Sequence, residues 1–152
     1  MSDPIIFPDS SPRFALPYLF AGQAQKEFTV NEVAARLDSL LACTVEAAQS
    51  APPANPADGQ SWLVGAAPSG DWTGQGTKIA ARIGGGWVFF APPPGMVVYD
   101  RTRGAIQRFS GIWEAPARPA APTGGTTIDS EARAALAAIV TALTSAGLIP
   151  SN

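Results

Sequence analysis

The sequence predicts an α+β fold in which an N-terminal extended arm and a helix pack on a small antiparallel β-sheet or barrel. Apolar residues recur at helical spacing over residues 30–47. Short β-branched and aromatic runs, separated by Gly or Pro, then fill residues 58–115. A proline-rich stretch and a second helical pattern follow. The expected units are an arm (1–25), a helix with a β domain (26–115), a linker (116–126) and a C-terminal helix (127–152).

The composition indicates a surface that is partly covered by other subunits. Charged residues make up 14% of the 152 positions, well below the roughly 25% of an average soluble domain. Lys26 and Lys78 are the only lysines, and binding of nucleic acid needs clustered basic residues. We therefore expect no nucleic-acid partner. The sequence also lacks an apolar run long enough for a membrane span and a recognisable signal peptide.

The arm carries four prolines and many apolar residues, which predicts an extended segment lying against its own domain or a neighbour. The first helix is expected from about Val30 to Ala47. Thr29 and Glu32 fit a capping box, and Phe28 with Val33 fits a hydrophobic staple. The helix is expected to cover the sheet, because strands this short need such a partner to be stable.

Six runs are predicted as strands, with tight turns at Gly84–Gly86, 100–104 and 110–111. The runs are Ser61–Val64, Lys78–Ile83, Trp87–Ala91, Met96–Tyr99, Ala105–Phe109 and Ile112–Glu114. Trp87 and Phe89 point to one face of their strand, and Val88 and Phe90 to the other. Because all four are apolar, we expect this strand to be covered on both sides.

The C-terminal helix is predicted to begin after Asp129 as its cap and to end at Gly147. Ala132, Leu136, Ile139, Leu143 and Ala146 are spaced 4, 3, 4 and 3, which is typical of a coiled-coil seam. An extended, semi-rigid linker would separate this helix from its domain. We favour self-association through Leu136, Ile139 and Leu143, which makes the chain a homo-oligomer. The alternative is that the helix folds back onto its own sheet.

The residue types needed for catalysis at neutral pH are scarce. The chain has no histidine and a single cysteine, Cys43, so histidine-dependent triads and most zinc sites are excluded. Cys43 is interpreted as a small buried hydrophobe. A weaker alternative is an envelope-degrading enzyme that uses Asp71, Asp100 or Glu114, since glycosidases need paired carboxylates. We expect no enzyme activity, catalytic residue, metal site or cofactor.

The aromatic residues offer a binding site of another kind. All four tryptophans lie in the strand region, and aromatic faces can stack on sugar rings. Most are expected in the core. Trp72, flanked by glycines, is predicted to be exposed, and Tyr99 at a strand end comes next. Together they would form a carbohydrate platform.

Several runs resemble an uncharacterised domain family of alphaproteobacterial prophages and gene transfer agents. The resemblance covers about residues 11–115, and its most specific part is Gly-Gln-Ala-Gln-Lys-Glu at 22–27. Further matching runs are Arg13–Pro17, Val30–Glu32, Ala35–Asp38, Pro56–Val64 and Gly86–Phe89. In gene transfer agents, related proteins resemble head spikes or fibres that contact the recipient's capsular polysaccharide. The family provides no catalytic residues to carry over.

The resemblance implies a virion structural protein, a head spike or fibre component involved in attachment to the host cell surface. Its expected partners are copies of itself, other virion proteins of the capsid or fibre, and host capsular polysaccharide. Its expected location is a phage-like particle assembled in the bacterial cytoplasm. The alternative is a carbohydrate-binding module that recognises capsular polysaccharide through Trp72 and Tyr99.

Overall fold

The computed structural model describes residues 16–19, 22, 24–41, 43–126 and 128–151, and it confirms the α+β class. The elements along the chain are α1 (Lys26–Leu40), β1 (Thr44–Val45), β2 (Ala48–Gln49), β3 (Ser61–Val64), β4 (Ile79–Ile83), β5 (Gly86–Phe90), β6 (Val97–Asp100), β7 (Ala105–Phe109), β8 (Trp113–Glu114) and α2 (Ser130–Ser145). A short 3-10 turn, Gly70–Trp72, lies between β3 and β4.

The strands form two four-stranded sheets and not one. Their orders are β1-β6-β7-β8 and β2-β3-β4-β5. Each sheet is mixed, because β1 pairs in parallel with β6 and β2 in parallel with β3, while all other pairs are antiparallel. Over the described ranges, neither sheet closes into a barrel.

Residues 44–49 join the two sheets. Tyr99 N donates to Cys43 O at 3.0 Å in the first sheet, and Leu63 N donates to Ala47 O at 3.0 Å in the second. One short extended segment therefore pairs first with β6 and then with β3, as corner strands do when they pass between packed sheets. The prediction of helix through Ala47 is wrong here, because the backbone groups of this segment are used in sheet pairing.

The main core lies between the two sheets. It contains Val45 and Val98 of the first sheet and Leu63, Ile79 and Phe90 of the second, each at most 3% exposed. Alternate residues of β3 and β4 face the other way and belong to a second cluster of Trp62, Val64, Trp72 and Ala80. The second sheet is thus covered on both faces, which confirms the expectation for the strand that contains Trp87.

The β region agrees closely with the predicted strands. β3 and β7 have the predicted bounds, and the other four differ by one or two residues. The β4–β5 hairpin turns at Gly84 and Gly85, whose φ angles are 57° and 76°. Both central positions of the favoured two-residue hairpin turn need positive φ, which glycine adopts without steric cost.

The first helix differs from its prediction at both ends. α1 begins at Lys26 after Gln25, so Thr29 and Phe28 lie inside it, and the capping box and staple are wrong. Glu32 instead pairs with Arg36 at 2.7 Å, one turn along the helix. No residue of α1 is buried. Among its contacts with the domain, Leu40 packs against the main core and Arg36 lies over the Phe90 ring.

Little of the predicted arm can be compared with the structure. Residues 1–15, 20–21 and 23 lie outside the described residues. Of the remainder, Leu16, Pro17 and Tyr18 are half-buried, and Pro17 forms an isolated β-bridge. The prediction that the arm docks against its own domain or a neighbour therefore stays a prediction.

Candidate functional site

The two residues of the predicted carbohydrate platform lie on different sheets. Trp72 is 0% exposed and belongs to the cluster beneath the second sheet, so its predicted exposure is wrong. Tyr99 is 40% exposed on β6 of the first sheet. Its ring contacts Gly147, where an added Cβ would stand 3.1 Å from ring atom Cε2. The structure therefore does not bring the two rings together.

Trp72 is instead part of an aromatic cluster that we call the Trp cluster, made by Trp62, Trp72 and Trp87. The Trp72 ring centroid lies 5.1 Å from that of Trp87 at an interplanar angle of 85°, and 6.4 Å from that of Trp62. The 3-10 turn inserts Trp72 between the loop and the sheet. Its Nε1 is buried without a hydrogen-bond partner among the described residues.

The exposed side of the Trp cluster is closed by a cation. Arg82 places its guanidinium carbon 5.3 Å from the Trp87 ring centroid, a favourable arrangement of cation and aromatic face. The flat face that a sugar would need is thus occupied at Trp87. We interpret the Trp cluster as a structural core.

The three carboxylates considered for catalysis lie on different elements. Asp71 is exposed in the 3-10 turn, Asp100 is 1% exposed at the end of β6, and Glu114 is exposed on β8. Asp100 accepts from Gln107 Nε2 at 2.6 Å and from Arg103 N at 3.0 Å. Glu114 accepts from Ser110 Oγ at 2.8 Å. Asp100 and Glu114 are therefore each held by a local partner in or beside a turn.

The described residues do not bring together the side chains that usually bind metal ions. No cluster of three or more His, Cys, Asp or Glu side chains occurs among those residues. Neither of the two described helices has the length and apolarity to cross a membrane.

Cys43 is buried beside the main core, and burial raises the pKa of its thiol from 9.0 to about 11. The thiol should therefore stay protonated and unreactive in the folded protein at pH 8, because the thiolate is the reactive form. Between pH 9 and 11 the unfolded chain releases a proton that the folded chain keeps. Folding stability should then fall as pH rises through this window.

Thiol labelling with a chromogenic disulfide reagent checks this prediction. The native protein at pH 8 should react only as fast as it unfolds, while the same protein in denaturant should react at once. Fast, complete labelling of the native protein would contradict the burial of Cys43.

The C-terminal helix and the proline-rich segment that precedes it are the part of the molecule that the sequence predicted least well. The predicted helix start is confirmed, because Asp129 Oδ1 accepts from Ala132 N at 2.8 Å. The proline-rich segment, however, is no spacer. Arg133 donates to Pro122 O and Gly124 O at one end, and Arg118 donates to Thr144 Oγ1 at 3.3 Å at the other. Residues 116–126, which we call the strap, therefore run antiparallel along α2.

The strap and α2 enclose a groove of about 350 Å³. Its walls are apolar apart from two arginines and a threonine, and include Pro119, Ala120, Leu136, Ala137 and Val140. Prolines at 116, 119 and 122 recur every three residues, the period of polyproline II. Such a segment loses little conformational entropy when it lies against a helix.

The end of the chain ties α2 to the first sheet. Gly147, with φ 68°, closes the helix as predicted. Ile106 N of β7 donates to Gly147 O at 2.8 Å, and Ile149 is buried. Arg118 also donates to Ser151 O at 2.6 Å. Residues 147–151, which we call the latch, therefore contact the first sheet. This agrees in part with the alternative prediction, in which the helix folds back onto its own sheet.

The strap and latch leave part of the predicted seam of α2 exposed. Leu136 is 51% exposed and Ile139 is 56% exposed, while Leu143 is half-buried near the latch. No residue of α2 is buried. On α1, Phe28, Val30 and Leu37 are exposed as well. Both helices therefore present exposed apolar side chains, and further ones lie on the strands and loops of the domain.

A family model described as "Protein of unknown function (DUF2793)" matches residues 30–114. The chain belongs to this family. The DUF2793 match begins within α1 and ends with β8, so it spans both sheets, the Trp cluster and the Asp100–Gln107 pair. The strap, α2 and the latch lie outside it. No curated protein matches this chain.

Proposed function

We propose that this chain is a structural component of a phage-like particle, a prophage or gene transfer agent, and serves as a head spike or fibre protein in attachment to the host cell. The observation that carries the proposal is the uncovered apolar surface of the two helices beside a closed core. A row of exposed apolar side chains along one helix, as on α2, is an expected site of protein association. The sequence resemblance to particle proteins suggests that this association takes place within a phage-like particle.

The organisation of the chain supports a structural role. The DUF2793 region uses its aromatic residues and Asp100 for packing and turn formation. Both helices lie outside the inter-sheet core and present apolar residues outward. The partners of this surface would be other virion proteins of the capsid, spike or fibre, in a particle assembled in the bacterial cytoplasm.

Direct recognition of capsular polysaccharide is the less supported version of the attachment role. The burial of Trp72 and the contact of Tyr99 with Gly147 remove the proposed stacking platform. Within this proposal, the chain supports attachment by holding the receptor-binding part of the particle.

Deletion of the gene in a particle-producing strain tests the proposal. Particles from the deletion strain should lack this chain and adsorb less to encapsulated cells, and a complementing copy should restore both. A complementing copy with Asp71→Ala, an exposed loop change, is the matched control and should also restore both. The proposal is wrong if purified particles from the wild-type strain do not contain the chain.

A further inference from the structure

We infer that the apolar row along α2, made by Ala132, Leu136, Ile139, Leu143 and the C-cap residue Ala146, packs against the same row of a second copy of this chain. Pairing of this kind does not depend on where the protein resides. The strap and latch cover one side and one end of α2 and leave other residues of the helix exposed.

The strap occupies only one side of α2. The residues that line the groove, Arg133, Leu136, Ala137, Val140 and Thr141, recur every three or four positions and so share one side of the helix. The row shares only Leu136 with that side. Ile139, at the middle of the row and near the middle of the helix, remains 56% exposed.

The absence of charged side chains limits which partner can cover the row. Residues 134–151 contain no charged side chain, so the row offers no partner to a charged group that contact would bury, and burying an unpaired charge is costly. A second copy brings an equally uncharged row and no like-charge repulsion. The 4-3-4-3 spacing matches the period at which two such helices remain in contact along their length.

The strap and latch also lower the cost of association. A free helix of 16 residues is marginal in water, and ordering it on binding would oppose assembly. Here Asp129 caps the helix and two arginines fix the strap along it. The latch holds the other end to β7. The row is therefore presented on an element that is already ordered, which favours binding.

Charge substitution on the full-length protein tests the inference. Ile139→Glu places a carboxylate in the row. Ala138→Glu places the same group on the same exposed turn, about 100° around the helix. Sedimentation equilibrium should show the wild type and Ala138→Glu as oligomers and Ile139→Glu as a monomer. Circular dichroism should show equal helix content in all three.

Cysteine cross-linking supplies an independent readout that does not require loss of association. Because Ile139 lies near the helix midpoint, its copies meet in either a parallel or an antiparallel pair. Ile139→Cys should form an intermolecular disulfide on mild oxidation, and Ala138→Cys should form little. Cys43, being buried, should contribute no background.

Three results would overturn the inference: a wild-type monomer at high micromolar concentration, an oligomer that Ile139→Glu leaves intact, or equal cross-linking at both positions. None of them bears on whether the chain is present in a particle, which the deletion experiment decides separately.

Discussion

Replacement of Trp72 by alanine should cost the domain about 3–5 kcal/mol of unfolding free energy, the range for truncation of a large buried aromatic residue. The ring is fully buried and fills the space between Trp62, Trp87 and the loop that follows β3. Few neighbouring groups could collapse into the cavity, since Trp62 and Trp87 are anchored on strands. Such a loss is a large part of the stability of a typical domain.

Denaturant unfolding followed by tryptophan fluorescence measures this loss. Trp72→Phe should cost less than Trp72→Ala, because it keeps a ring in the cluster and removes the unpartnered Nε1–H. Asp71→Ala, at the exposed position before Trp72, should change stability by about 0.5 kcal/mol or less. A loss of stability in Trp72→Ala no larger than in Asp71→Ala would show that the Trp72 ring does not stabilise the packing of this loop on the second sheet.

Loss of the Asp100 carboxylate should be the second most damaging change, at about 3 kcal/mol, because a buried donor then loses its charged acceptor. Gln107 is 3% exposed and donates to Asp100 at 2.6 Å. The same carboxylate accepts from Arg103 N and so shapes the β6–β7 turn. Asp100→Ala removes both interactions and leaves the Gln107 amide buried without them.

A double-mutant cycle separates the pair from the turn. Asp100→Leu should be strongly destabilising, and adding Gln107→Leu should recover part of the loss, because no unpaired amide remains buried. Glu114→Ala is the matched control, since its bond to Ser110 is exposed and should matter little. Strictly additive losses for Asp100→Leu and Gln107→Leu would contradict the coupling.

The strands and turns of the DUF2793 region could be predicted from local sequence because glycine and proline separate them and their aromatic residues alternate. The Gly84–Gly85 hairpin shows the point, since positive φ at both positions leaves few alternatives. Reliance on local sequence also explains the wrong prediction of helix at residues 44–49. Thr44 and Val45 are β-branched and only mildly unfavourable in a helix, so pairing with the distant β6 and β3 decides that this segment is extended.

Exposure was harder to predict than secondary structure. The glycines beside Trp72 suggested an open loop, but they allow the tight 3-10 turn that carries the ring into the core. A buried Trp with flanking glycines and an exposed one share the same local sequence. The strap was missed for a similar reason, because the composition of residues 116–126 predicts an extended backbone but not the surface it lies on. The arginines at 118 and 133 were the available signal.

We propose that the strap and latch hold α2 in a position where other copies of the chain cover it within a particle. An electron cryomicroscopy reconstruction of particles that contain this protein is the strongest test. We expect neighbouring copies whose α2 helices contact each other through Leu136, Ile139 and Leu143. Single copies in which these three side chains face solvent, or particles that lack the protein altogether, would contradict it.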